Sequence, residues 1–187
     1  GGSLENRMRF LLQVIDRVNA VIGDDMALGV RLTVEDFVPS GWTIRDTQEL
    51  AKRLEATGKI HYINMTTSFH AGPLHNTTMY EPHAPLVPYS AALKEVLNIP
   101  VVAVVRIVDP REAEKILADG HADLVAMTRG HLADPEIGNK AREGRLDEIR
   151  PCTGCCQLCF GSVLHHVPLA CAQNPAAGRE KAWGIGT

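Results

Sequence analysis

All five cysteines of the 187-residue chain fall within twenty positions, at 152, 155, 156, 159 and 171. Four of them follow the pattern C-x2-C-x3-C-x11-C, formed by Cys152, Cys155, Cys159 and Cys171. Thiolates are soft ligands, and four can enclose an iron-sulfur cluster or a tetrahedral zinc ion. Zinc ribbons offer two C-x2-C knuckles, whereas a compact triplet with a remote fourth ligand suits a cubane that takes one thiolate per iron. The spacing therefore favours [4Fe-4S], with zinc as the alternative. Disulfides are disfavoured: the count is odd, no signal peptide is visible and no apolar run is long enough to cross a membrane, which together point to a reducing, cytoplasmic setting. Cys156 reads as a spare thiol packed beside the cluster.

Basic residues form the second chemical group. Arg31, Arg106 and Arg129 each fall at or just after the end of an apolar run that reads as a strand (26–32, 101–105 and 124–127). In a parallel sheet such ends share one face, where guanidinium groups grip phosphate. A third group lies in the long connection 66–88, which carries Pro73, Pro82, Pro85 and Pro88, His70, His75 and His83, and Tyr80. Connections of that length are commonly binding loops, although His75 and His83 read equally well as solvated loop residues.

The elements that must position these groups alternate between strand and helix. Apolar residues at 8, 11, 12, 15, 18 and 22 predict a helix that Ser3 can cap. Strands are expected over 26–32, 60–65, 101–105 and 124–127. Helices are expected from Thr43 or Asp46 to Gly58, from Ala91 to Leu97, from Asp109 to Gly120 and from Asp134 to about Glu143. Four strand-helix units are half of a (β/α)8 barrel. An open doubly wound sheet would carry a Gly-rich phosphate turn after its first strand, and none is present. The expected architecture is thus α/β: the C-terminal half of a TIM barrel over residues 1–150, then a cysteine-rich iron-sulfur segment over 151–187. A net charge of -3 with interspersed signs recommends neither nucleic acid nor a membrane as partner. The oligomeric state stays open, a homo-oligomer included.

Longer stretches carry a family likeness. Residues 1–10, Gly29 to Leu32, Ala122 to Arg129, Leu132 to Pro135, the cysteine run and Gln173-Asn174-Pro175 together resemble the old yellow enzyme superfamily. The closer similarity is to its iron-sulfur flavoenzyme branch, that of 2,4-dienoyl-CoA reductase, trimethylamine dehydrogenase and N-methylproline demethylases, and the cysteine spacing is like that of the dienoyl-CoA reductase. The resemblance implies a barrel with FMN over its strand ends, a [4Fe-4S] cluster just beyond, and electrons arriving from NAD(P)H through FAD in further domains. It implies Arg31 at the N1 and C2-carbonyl edge of the flavin, and Arg106, Thr128 and Arg129 on the FMN phosphate. His70, six residues after Asn64, would be the general acid, and Cys152, Cys155, Cys159 and Cys171 the cluster ligands. The implied reaction is reduction of an activated C=C bond, as in an enoyl thioester. Oxidation of a methylated amine is the rival on the same scaffold, and a non-catalytic zinc module the rival from another class. Two departures stand out. Many relatives have glycine before the arginine at 106, where this chain has Val105. The family's first four strands, with the tyrosine that partners the histidine, have no counterpart, so the chain reads as a fragment that alone would lack activity.

Overall fold

The computed structural model describes residues 1–67 and 77–185. His70 and His75 lie outside them. The chain forms two compact units, described separately: residues 1–67, 86–103 and 120–124 make the first, and 77–85, 104–119 and 125–185 the second.

The first unit is built on a parallel sheet of order β1-β2-β3-β4. Its strands are β1 (Gly29–Thr33), β2 (Tyr62–Thr66), β3 (Val101–Ala103) and β4 (Leu124–Val125), with Leu124 closing the unit. Gly29 pairs with Tyr62, and the tyrosine ring occupies the space a side chain at 29 would need. Three helices belong here: α1 (Leu4–Ile22), α2 (Ile44–Ala56) and α3 (Val87–Lys94). Ser3 caps α1 by accepting from the Asn6 amide. Thr43 and Asp46 close a reciprocal capping box on α2, satisfying two amides that the helix leaves unpaired. The apolar faces then bury Met8, Ile15, Leu50, Leu54 and Leu93 with Ile63, Met65 and Val101. Thr47, fully buried, donates to the carbonyl of Val34 (3.0 Å) and accepts from the Trp42 indole (2.5 Å), which ties α2 to the end of β1.

The second unit contains α4 (Pro110–Ala118), α5 (Thr128–Ala133), α6 (Ile137–Arg142), a short 3-10 turn (Leu146–Glu148), α7 (Phe160–Leu164) and α8 (Glu180–Trp183). Asp109 caps α4 and Pro110 opens it, where a missing N–H costs nothing. Its buried apolar residues include Ile107, Ala113, Ile116, Ala133 and Ile137, with Ala176 and Ala177 from the C-terminal stretch.

Several expected boundaries move. Strand β1 begins at Gly29 and runs to Thr33, so Arg31 lies inside it and not at its end. Strand β3 stops at Ala103 because Val105 and Arg106 turn into the left-handed region, with φ of 81° and 54°. Strand β4 is only two residues long, and Thr128 and Arg129, expected at its end, open α5. Helix α3 starts at Val87, earlier than expected, with a proline at its first turn. Helices α7 and α8 lack strong caps and were not anticipated.

Candidate functional site

The chemical groups separate between the two units. In the first, Arg31 is exposed, and its Nη2 donates to Thr66 Oγ1 at 3.1 Å. It is not the buried charge that an apolar strand would have made costly. In register with it stands Asn64, whose Oδ1 is buried and has no hydrogen-bond partner among the described residues. Registered pairs point to the same face of a parallel sheet, so a donor fork and an unsatisfied acceptor stand side by side.

In the second unit, the strained turn at Val105 delivers Arg106. Its Nη2 reaches the Met79 carbonyl at 3.4 Å, while its buried Nε lacks a partner among the described residues. A buried N–H on a cation is expensive to leave unpaired, and an anionic ligand is the natural partner. Gly154, at φ +72°, passes so close that a side chain there would meet the Met79 amide at 3.3 Å and Arg106 Nε at 3.4 Å. Only glycine suits both the backbone conformation and the space.

Arg129 points to the cysteines. Its Nη1 donates to the Thr77 carbonyl (2.6 Å) and to Cys156 Sγ (3.0 Å), and its Nη2 donates to Thr77 Oγ1 (3.2 Å). Thr128, the other expected phosphate contact, is exposed at the start of α5. The five cysteines are all free thiols. With Arg129, Leu132 and Leu158 they line one small cavity of about 20 Å³. The Gly154 amide donates to Cys152 Sγ at 3.4 Å, the N–H···S bond of a tight C-x2-C turn. Burial pushes the thiols of Cys152 and Cys159 up; the Gly154 amide and Arg129 oppose this at Cys152, the Phe160 amide and Arg129 at Cys159. Among the described residues no three His, Cys, Asp or Glu side chains converge closely enough to hold a single metal ion.

His83 lies at 3.3 Å from Glu112 through Nδ1 and is half exposed, in keeping with a solvated loop residue. Tyr80 is exposed. Sequence reading did not single out Thr77 and Met79, whose carbonyls meet the arginines, because backbone acceptors leave no mark in residue type. It noted Asn174 only within a motif and gave Arg150 no role. Cys156 it placed beside the cluster, but not on Arg129.

Residues 1–148 match the NADH:flavin oxidoreductase / NADH oxidase family. The chain is 40% identical to an NADH oxidase of Thermoanaerobacter brockii over 96% of its own length and 28% of that protein's. It is 37% identical to the N,N-dimethylglycine/sarcosine dehydrogenase of Chromohalobacter salexigens over 96% of the chain and 26% of the relative. The structure of a 2-naphthoyl-CoA reductase in complex with 2-naphthoyl-CoA superposes with a TM-score of 0.92 at 33% identity, covering 97% of this chain and 28% of that one. The chain thus spans between a quarter and a third of the length of these relatives.

Proposed function

The chain belongs to the NADH:flavin oxidoreductase / NADH oxidase family, in the iron-sulfur flavoenzyme branch of the old yellow enzyme superfamily, and on that premise we propose that it is the FMN- and [4Fe-4S]-binding part of an NAD(P)H-dependent reductase of activated C=C bonds. The fold supports this: four successive βα units of a (β/α)8 barrel followed by a cysteine-rich segment. The observation that carries the reading is the arrangement in the second unit, where Arg106 holds a buried Nε that has no partner among the described residues beside Gly154, and Arg129 reaches the wall of a five-thiol cavity.

The residues present fit both groups. An FMN phosphate would satisfy Arg106 Nε, with the Arg129 guanidinium adding positive charge nearby and Thr128 a hydroxyl. The Arg31 fork and the Asn64 acceptor match the alternating acceptor and donor edge of a flavin pyrimidine ring, and a fixed positive charge there favours the reduced, anionic flavin. Cys152, Cys155, Cys159 and Cys171 are proposed as the cluster ligands. A zinc ribbon offers two C-x2-C knuckles, whereas the compact triplet with a remote fourth cysteine suits a cubane that takes one thiolate per iron. When bound, the flavin supplies hydride transfer and the cluster single-electron transfer. His70 is proposed as the general acid that protonates the substrate carbon, a role that histidine fills more often than any other side chain.

The likeness to a 2-naphthoyl-CoA reductase supports an acyl thioester substrate; NAD(P)H as ultimate donor and FAD as carrier in the parent enzyme belong to the same proposal. The likeness to a dimethylglycine/sarcosine dehydrogenase favours a second reading, oxidation of an N-methyl group with electrons passing outward. Assay of the native gene product separates them: NAD(P)H-dependent turnover of a dienoyl thioester is expected, and turnover of methylated amines alone would reject the reductase reading.

A further inference from the structure

Outside the cysteine cavity, the second unit buries a polar network that neither arginine site uses. Asp134, at the end of α5, has a side chain with 0% exposure, and Asn174 is 1% exposed. Asp134 Oδ2 accepts from the Arg150 amide at 2.9 Å and from Lys140 Nζ at 2.8 Å, while Oδ1 accepts from the Glu136 amide at 3.0 Å. Asn174 Nδ2 donates to the Leu132 carbonyl at 3.1 Å, and its Oδ1 accepts from the Ala176 amide at 3.1 Å and from Arg150 Nη1 at 3.3 Å. Arg150 Nη1 also lies 3.4 Å from the Gln173 carbonyl.

These bonds join three places in the chain. Arg150 stands two residues before Cys152, and Gln173 and Asn174 stand just after Cys171. Leu132 and Asp134 belong to the end of α5, and Leu132 lines the cavity itself. Each arm of the cysteine segment is therefore bonded separately to the same helix end, and the Arg150 to Asn174 bond closes the triangle. A third fixing point follows: Gly178, at φ +78°, packs so tightly on the Leu169 carbonyl that no side chain fits between them. Buried polar groups cost free energy unless fully paired, and a fully paired network holds one geometry in preference to others.

We infer that Arg150 and Asn174, anchored on Asp134 and Leu132, are positioning residues that hold Cys152 and Cys171 at the separation a cluster requires. The inference rests on the reading of the cysteine cavity as a cluster site. Outer-shell partners of metal ligands control how firmly the metal is held, by about 10-fold or more in affinity. Fixing the first and last ligands matters most, because the eleven-residue gap between Cys159 and Cys171 leaves the fourth thiol free to wander.

The test uses the full chain reconstituted anaerobically with iron and sulfide. Asn174→Ala and Arg150→Ala are expected to release iron to a chelator about 10-fold faster than wild type, with a broadened EPR signal from the reduced cluster. Asn174→Asp keeps the size of the side chain and the acceptor for Arg150 and the Ala176 amide but loses the donor to the Leu132 carbonyl, and is expected to release iron about as fast as Asn174→Ala. A role in packing alone would instead be rescued by this isosteric change, and wild-type retention in Asn174→Asp would count against the anchor on Leu132. Should Asn174→Ala fail to fold by circular dichroism, Arg150→Lys decides, since a single ammonium cannot reproduce the guanidinium's reach to Gln173 and Asn174 and should also release iron faster. Release at the wild-type rate from the folded variants would overturn the inference while leaving the cluster reading intact. A wild-type chain that takes up no cluster would overturn both.

Discussion

Val105 sits at φ 81°, a region in which a β-branched side chain crowds its own backbone. The turn it makes places Arg106, so the strain lies where the phosphate is proposed to bind. Val105→Gly should raise stability by about 1 kcal/mol, read as a higher thermal midpoint; an unchanged or lower midpoint would show the turn to be unstrained. Arg129 has the opposite character, being committed through three hydrogen bonds to Thr77 and Cys156. Arg129→Ala in the native enzyme should weaken FMN about 10-fold, the cost of a charge-assisted bond, measured by quenching of flavin fluorescence. Unchanged affinity would remove Arg129 from the phosphate site and leave it a role at the cysteines alone. Residue type pointed to both arginines, but not to their partners. A guanidinium near a strand end can turn to a phosphate, a carbonyl or a sulfur, and only the fold decides.

Among the elements, those with local signals were legible. Ser3, the Thr43 and Asp46 pair, and the Asp109-Pro110 step each announce a helix start by capping chemistry that involves only neighbouring residues. Helix α5 was not legible: it is six residues long, lacks a side-chain cap and contains Gly130. Its end nevertheless anchors the cysteine segment through Asp134. Burial alone would push that carboxyl up, but hydrogen bonds from Lys140 and from the Arg150 and Glu136 amides outweigh it and hold it below the usual carboxylate range. A group whose value is depressed by folding stabilises the fold above its unfolded value, about 4, and that contribution is lost as pH falls through the lower folded value. Asp134→Asn should therefore cost about 3 kcal/mol near neutral pH, since Lys140 would keep an unpaired charge that is largely buried. Its deficit relative to wild type should shrink below pH of about 4. A deficit constant across that range, in thermal melts at each pH, would contradict the assignment.

At the scale of the whole molecule, four parallel strands in the order β1-β2-β3-β4 were readable from the recurring strand and helix pattern, because strand order follows sequence order in a barrel. The division into two compact units was not readable, since the residues of each come from three separate stretches. The proposed chemistry draws on the thiols, Arg106 and Arg129 of the second unit and on the flavin-edge pair Arg31 and Asn64 of the first. No helix among the described residues is long and apolar enough to cross a membrane. The central claim is that the five-thiol cavity takes a cubane beside a flavin site. Iron, zinc and acid-labile sulfide analysis of the anaerobically purified protein tests it most directly. About four irons and four sulfides per chain, in a brown protein, are predicted; one zinc per chain, no sulfide and no colour would contradict it.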